Sequence, residues 1–318
     1  MRVIFWGTSD FAVPSLERIY EHGYKIVGVV TSQEKQAGRG LKLIASPVKI
    51  AASKLNLICL EPANPNTQEV YEIIKNLQAD ICVLAAYGFI IKSQLLNLPS
   101  KGFVNIHPSL LPKYRGAAPI QRAIMNGEKI TGVTTFYMNE EMDAGDIILQ
   151  ETVPIGDDET YDEVKKRLAK LGADLIIKTL IGIQENTVTR TPQDHSQKSI
   201  AKKIKKEECL IDWQKPTRIV HNLIRGLSLE PGAYTYFRNK RVKIFKSTIP
   251  TQKSTIKINE PGRMFTENKR LFVFTQDGYL EILLLQLEGG KIINAIDFIN
   301  GQRISLEDKF CNQMNRTV

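Results

Sequence analysis

The chain has 318 residues, 42 % of them hydrophobic, enough apolar material for one large or two moderate domains. No apolar run approaches the roughly 18 residues of a membrane span, and the opening MRVIFWGTSDF lacks the long apolar stretch and cleavage site of a secretory signal. Cys59, Cys82, Cys209 and Cys311 are too scattered for a disulfide framework or a zinc site, so a reducing, cytoplasmic setting is expected.

The net charge of +9 is unevenly placed. Residues 1–200 hold 22 of the 43 Lys+Arg and 22 of the 34 Asp+Glu, so the whole excess lies in residues 201–318. Such asymmetry points to a polyanionic partner for the final third.

In chain order, RVIFWG predicts a buried strand, Gly7-Thr8-Ser9 a turn, and Phe11–His22 an amphipathic helix. YKIVGVVTS (strand), SPVKIAASKL (helix), NLICL (short strand) and TQEVYEIIKNLQA (helix) follow, then the strands DICVLAAY and GFVNIH. GVTTFYM and DIILQETVPI read as further strands before a long helix over Tyr161–Glu185. Continuous apolar runs alternating with helical periodicity predict an α/β domain with a mostly parallel, doubly wound sheet. The turn at Gly7 is not G-x-G-x-x-G, so the dinucleotide fingerprint is missing from this Rossmann-like half.

Residues 189–207 are polar and Lys-rich, and read as a linker between a first domain at 1–188 and a second at 208–318. In the second, GAYTYFRN, RVKIFKS, GRMFT, RLFVFTQ and YLEILLLQL are short β-branched and aromatic runs, followed by a closing helix near DFIN. That spacing predicts a small all-β barrel or sandwich.

The candidate chemistry lies in VNIHPSLLPKYRGAAPIQRA, residues 104–123. Asn105 and His107 end a predicted strand, two apart, so both side chains share one face. Ligands of an open parallel sheet bind at the strands' carboxyl ends. A histidine beside a neutral amide donor suits an oxyanion-forming acyl transfer, and no Ser or Cys stands out as a covalent nucleophile. The imidazole lacks a carboxylate to orient it. NEEMDAGDIIL, residues 139–149, offers Glu140, Glu141, Asp143 and Asp146, which composition alone does not separate.

NIHPSLLPKYRGAAPIQ followed by GVTTFYMNEEMDAGDIIL resembles the signature of folate-dependent formyltransferases. The resemblance implies a catalytic trio of Asn105, His107 and Asp143, the last in an Asp-x-Gly turn. It further implies folate contacts from Ser109, Leu110, Leu111 and Pro112, and a pterin-lining loop in AYGFII that includes Tyr87 and Gly88. The co-substrate implied is 10-formyltetrahydrofolate, with neither a metal nor a nucleotide cofactor.

Nearly the whole chain is similar to the branch of this family whose acceptor is methionyl initiator tRNA. The match includes RVIFWGTSDFAVPSL, SQEKQAGRGLKLIASPVK, IDWQKPTRIVHNLIRGL and PGAYT. Ser9, Pro108 and the SLE before PGAYT depart from that branch's usual pattern. The resemblance implies an oligonucleotide-binding type of barrel (OB-like), with Arg39 and Lys42 probing the acceptor stem. Lys205 and Lys206, in KKIKK, and the run RNKRVKIFK would meet RNA backbone. A monomer acting on initiator methionyl-tRNA in translation initiation is expected, away from any membrane. Rival acceptors are sugar nucleotides and glycinamide ribonucleotide, and a non-catalytic RNA-binding protein is the rival from another class.

Overall fold

The computed structural model describes residues 1–37, 42–251 and 260–313. These form two compact units. The first comprises Met1–Pro119, Ile130–Val153 and Lys165–Ala201, the second Ile120–Lys129, Pro154–Val164 and the chain from Lys202 onward. Among the described residues no helix is long and apolar enough to cross a membrane.

The first unit is built on β1 (Arg2–Gly7), whose Val3, Ile4, Phe5 and Trp6 are wholly buried, as a central strand covered on both faces requires. The chain continues through a 3₁₀ turn at Asp10–Ala12 into α1 (Val13–Glu21) and β2 (Lys25–Val30). A hairpin of β3 (Lys35–Ala37) and β4 (Lys42–Ile44) comes next. In α2 (Pro47–Lys54) the Ser46 hydroxyl accepts the Lys49 N–H, and Pro47 occupies a first-turn position that needs no donor. Then come β5 (Cys59–Leu60), α3 (Gln68–Asn76), β6 (Ile81–Ala85), α4 (Ser93–Leu96) and β7 (Phe103–His107). Next come α5 (Pro119–Met125), which falls almost wholly in the second unit, β8 (Ile130–Tyr137), β9 (Ile147–Pro154) and α6 (Tyr161–Glu185), whose first turn also belongs to the second unit.

The strand order is β5-β2-β1-β6-β7-β8-β9. Pairing is parallel from β5 to β7, and β8 turns back antiparallel to β7. The order reverses between β1 and β6, so the crevice for a ligand opens at the carboxyl ends of β1, β6 and β7. The expected α/β sheet is therefore present and mostly parallel.

Residues 189–201, read from composition as linker, pack within the first unit. Gln193 and Ala201 are buried there, Gln193 Nε2 donates to the Asp143 and Gly145 carbonyls, and Ser199 and Ala201 exchange backbone bonds with Arg115 and Pro112.

In the second unit α7 (Thr217–Gly226) precedes β10 (Ala233–Phe237), β11 (Lys240–Thr248), β12 (Met264–Glu267), β13 (Arg270–Phe274), β14 (Tyr279–Leu287) and β15 (Ile292–Asn294). The unit's last helix is α8 (Ala295–Gln302). The antiparallel sheet runs β10-β11-β14-β13-β12, with β15 on β14. Register shifts around Lys246 in β11 bend the strand, as bulges do in curled sheets.

Residues 308–311 then bridge the two sheet edges. Cys311 exchanges backbone bonds with Tyr236 of β10, while Phe310 and Asp308 bond Gly262 and Met264 beside β12. Trp213 stacks on Phe310 at 5.6 Å and donates to Thr235 Oγ1 inside this closed core. The amphipathic α7 contributes Val220 and Ile224 to the same core.

Candidate active site

β7 is buried along its length and carries Asn105 and His107 on one face at the carboxyl end of the sheet. Asn105 sits opposite Leu84 of β6 and Phe136 of β8, which fixes its depth. It is 8 % exposed, and its amide makes no hydrogen bond among the described residues. The amide is not sealed from solvent, so a ligand in the crevice can take up its bonds.

His107 is 5 % exposed. Its Nε2 lies 2.9 Å from the Tyr114 carbonyl oxygen, which can only accept, so that nitrogen carries a proton. Nδ1 faces Asp143 Oδ2 at 3.7 Å, too far for a hydrogen bond but close enough for the carboxylate to attract the ring once it is protonated. Of the four carboxylates the sequence offered, Asp143 is the one brought to the imidazole.

Local backbone geometry explains the Asp-Ala-Gly turn. Asp143 has φ +52°, a left-handed conformation in which Asp is tolerated. A Cβ on Gly145 would fall 1.7 Å from the Tyr137 carbonyl oxygen, so only glycine lets the turn reach β8. Asp143 Oδ2 also accepts the Gly116 N–H at 2.8 Å. Gly116 has φ +112°, and a Cβ there would press to 3.0 Å from the Ala201 carbonyl oxygen. The strand end, the loop after it and the turn before β9 are thereby joined.

The stretch from Ser109 to Pro112 forms a self-bonded loop beside the trio. Ser109 Oγ donates to the Lys113 carbonyl, and Thr134 Oγ1 donates to the Ser109 carbonyl. Gln150 Nε2 holds the Leu111 carbonyl at 2.8 Å. Leu111 is buried, whereas Leu110 and Pro112 are partly open. The Ser109 hydroxyl already has a backbone partner, so this loop presents mainly apolar surface.

Tyr87 follows β6 at the same end of the sheet, and its ring meets the Trp6 edge at 5.4 Å. Its buried hydroxyl has no partner among the described residues, and burial pushes its pKa up to about 12. Gly88 beside it is exposed, as are Phe89 and Ile90. The switch-point crevice thus has an apolar wall with an uncompensated hydroxyl within it.

The residues singled out for nucleic acid fare differently. Arg39 lies outside the described residues, and Lys42 opens β4 opposite Ala37. Lys202, Lys203, Lys205 and Lys206 are all exposed. Beneath them Arg122 grips Glu208 through two nitrogens at 2.7 and 3.0 Å, and this bond holds the Glu208 pKa down at about 2. Arg122 also donates to the carbonyls of Lys202 and Lys203, which fixes the strip's backbone and leaves its ammonium groups outward. In RNKRVKIFK, by contrast, Arg238 is forked onto Asp308, Arg241 faces Glu288, and Lys246 faces Glu163. Much of that run is neutralised within the protein.

Sequence reasoning passed over Tyr114, Arg115 and Gln193. Tyr114 acts through its carbonyl, which no side-chain pattern reveals. Arg115 and Gln193 are 78 residues apart and both buried, and their bonds were legible only as an unexplained Arg in a Pro- and Gly-rich loop.

A formyl transferase model matches residues 1–180, and a formyl transferase C-terminal domain model matches residues 203–303. Methionyl-tRNA formyltransferase of Ruminiclostridium cellulolyticum is 41 % identical over 310 residues, covering 97 % of this chain and 99 % of its own length. That of Carboxydothermus hydrogenoformans is 42 % identical over 312 residues, covering 98 % and 99 %. Among solved structures, HypX from Aquifex aeolicus has TM-score 0.67 at 17 % identity, over 97 % of this chain and 49 % of that one. The sugar 3N-formyl transferase WlaRD has TM-score 0.65 at 23 % identity, over 92 % and 99 %; at such identities these two likenesses speak to fold alone. With a shared sheet, both halves matched in sequence and relatives aligned nearly end to end, this chain belongs to the formyl transferase family and is an enzyme of formyl transfer.

Proposed function

We propose that the chain moves a formyl group from 10-formyltetrahydrofolate to the α-amino group of methionyl initiator tRNA, giving formylmethionyl-tRNA for translation initiation in the cytoplasm. The observation that carries this reading is the alignment of methionyl-tRNA formyltransferases at about 40 % identity through both halves, including the basic final third. Residues 1–188 perform the transfer, residues 208–318 hold tRNA, and the chain acts as a monomer. Ser109 to Pro112 contact the folate donor, and Tyr87 and Gly88 line its pterin. Arg39, Lys42, Lys205 and Lys206 meet the tRNA.

In the reaction, the neutral amine attacks the formyl carbon, and the carbonyl electron pair moves onto oxygen. Asn105 donates its unpaired amide N–H to that oxygen; losing one such donor costs about 3–4 kcal/mol of barrier in comparable sites. With His107 Nε2 bonded to the Tyr114 carbonyl, Nδ1 is the reactive nitrogen. It takes the proton from the attacking amine, and the resulting imidazolium is held opposite the Asp143 carboxylate. On collapse the bond from carbon to the folate nitrogen breaks, and Nδ1 returns the proton there. Formyl and hydrogen have then exchanged places.

The test is a parallel assay of the purified chain with 10-formyltetrahydrofolate and methionyl-tRNA, a UDP-amino sugar or glycinamide ribonucleotide. Formylation of methionyl-tRNA alone is expected. Turnover of either small acceptor without the tRNA overturns the reading.

A further inference from the structure

Beside the proposed trio lies a second layer that no chemistry has yet been asked of. Gln193 is 5 % exposed and Arg115 3 %. Gln193 Nε2 donates to two carbonyl oxygens at once, that of Asp143 at 2.9 Å and that of Gly145 at 2.8 Å. Its Oε1 accepts from Arg115 Nε at 3.0 Å and Nη2 at 2.6 Å. Every strong hydrogen-bonding site of the Gln193 amide is thus used, and the guanidinium fixes which end of the amide is oxygen. The Arg115 backbone is tied to the same segment, its N–H to the Ser199 carbonyl and its carbonyl to the Ala201 N–H.

We infer that Gln193, oriented by Arg115, is a positioning residue that sets the Asp143 carboxylate against His107. Asp143 is left-handed, and the carbonyls on either side of Ala144 must turn inward with it. Two buried carbonyls converging on one place repel unless a donor stands between them, and an amide NH₂ is the neutral group that serves both. One end of the turn is held by Gln193, and the carboxylate itself is held by the Gly116 N–H. Between them they fix the 3.7 Å gap to Nδ1. The gap matters because a tighter approach would trap the imidazole, and a wider one would leave the imidazolium unsupported. Gln193 lies between the spans of the two family models, in the stretch that joins them. The inference rests on the formyl-transfer role proposed for Asp143.

Three variants decide it. Gln193→Leu removes both donors at nearly constant volume. Gln193→Glu keeps the acceptor for Arg115, and improves its charge, but turns lone pairs toward the two carbonyls. Both should lower kcat by roughly tenfold to a hundredfold, the scale of a small misplacement near reacting groups, with the donor KM within about twofold. In Gln193→Leu/Asp143→Asn the loss should equal that of Asp143→Asn alone, because Gln193 acts through that carboxylate. Hydrogen exchange of the Gly116 amide should quicken in both single variants. This last readout needs no acceptor, so it still judges the clamp if wild-type chain fails to formylate methionyl-tRNA, a result that sinks only the proposed function. Wild-type turnover in Gln193→Glu would reduce Gln193 to a partner for Arg115. Multiplicative losses in the double variant, or unchanged Gly116 exchange, equally overturn the inference. If Gln193→Leu fails to fold, Gln193→Glu with its melting temperature carries the same decision.

Discussion

His107 and His221 are built alike, yet the proposed chemistry calls on only one of them. Both are buried, both place Nε2 near 3 Å from a backbone carbonyl, and both have an aspartate close by. His221 goes further: its Nδ1 meets Ser247 Oγ at 2.9 Å and its Nε2 lies 3.2 Å from Asp158 Oδ1, an array that on paper resembles a hydrolytic triad. Yet Ser247 is 1 % exposed, and both ring nitrogens are already satisfied. His107 has one satisfied nitrogen, and the other faces a carboxylate from beyond bonding distance. What sets His107 apart from His221 is the unfilled position, not the company it keeps.

Breaking each histidine should separate the two cases. His107→Ala should lower formyl transfer by at least a hundredfold, and up to roughly ten-thousandfold, with the melting temperature nearly unchanged. Initial rates beside a thermal melt make the check, and turnover within about tenfold of wild type defeats the role given to Nδ1. Asp143→Asn, which keeps shape and removes charge, should give a smaller loss of rate without a loss of folding.

His221→Ala reverses the pattern. It strands the Ser247 hydroxyl and the Asp157 carbonyl, costing about 2–4 kcal/mol of stability with little change in turnover per folded molecule. Denaturant melts report the first quantity and active-site titration the second.

The pH dependence sharpens the comparison. Burial lowers the His221 pKa below 6.5, outweighing the Asp157 carbonyl and Asp158, which raise it. Its folded form therefore resists a proton that the unfolded chain accepts. Stability is full above about pH 6.5 and falls as pH drops below it, and His221→Gln should flatten that part of the curve. A slope that persists in this variant assigns the effect elsewhere.

The smallest effect concerns salt. Replacing Lys205 and Lys206 by Gln should weaken initiator and elongator tRNA alike and flatten the salt slope by up to roughly one unit per lost phosphate contact. The same change at Arg238 should cost stability instead, since Asp308 then loses its partner.

Much of the first sheet was legible because Val3–Trp6 and Ile81–Ala85 are covered on both faces and read as unbroken apolar runs, and Phe103–His107 is broken only by Asn105 and His107. The hairpin of β3 and β4 was not, since KQA and KLI carry neither length nor alternation. Asn105 and His107 could be placed by strand period alone. Choosing Asp143 over its acidic neighbours needed the family signature, because the selection is made by a left-handed turn and a backbone N–H from Gly116. Which cations of RNKRVKIFK are paired was hidden for a related reason: whether a Lys or Arg is free depends on carboxylates such as Asp308 and Glu163, brought up from elsewhere in the chain.

The bridge formed by residues 308–311 bears on how the second sheet comes into being. These residues leave the ribosome after every strand they join. Until they do, β10 and β12 each present an open row of backbone donors and acceptors, the surface on which nascent chains cross-pair. For the interval in which about sixty residues pass between β11 and Asp308, at roughly 5–20 residues per second, the half-made sheet depends on its surroundings to keep neighbours away. A chain stopped short of Asp308 would carry that hazard permanently, with Asn105, His107 and Asp143 all in place.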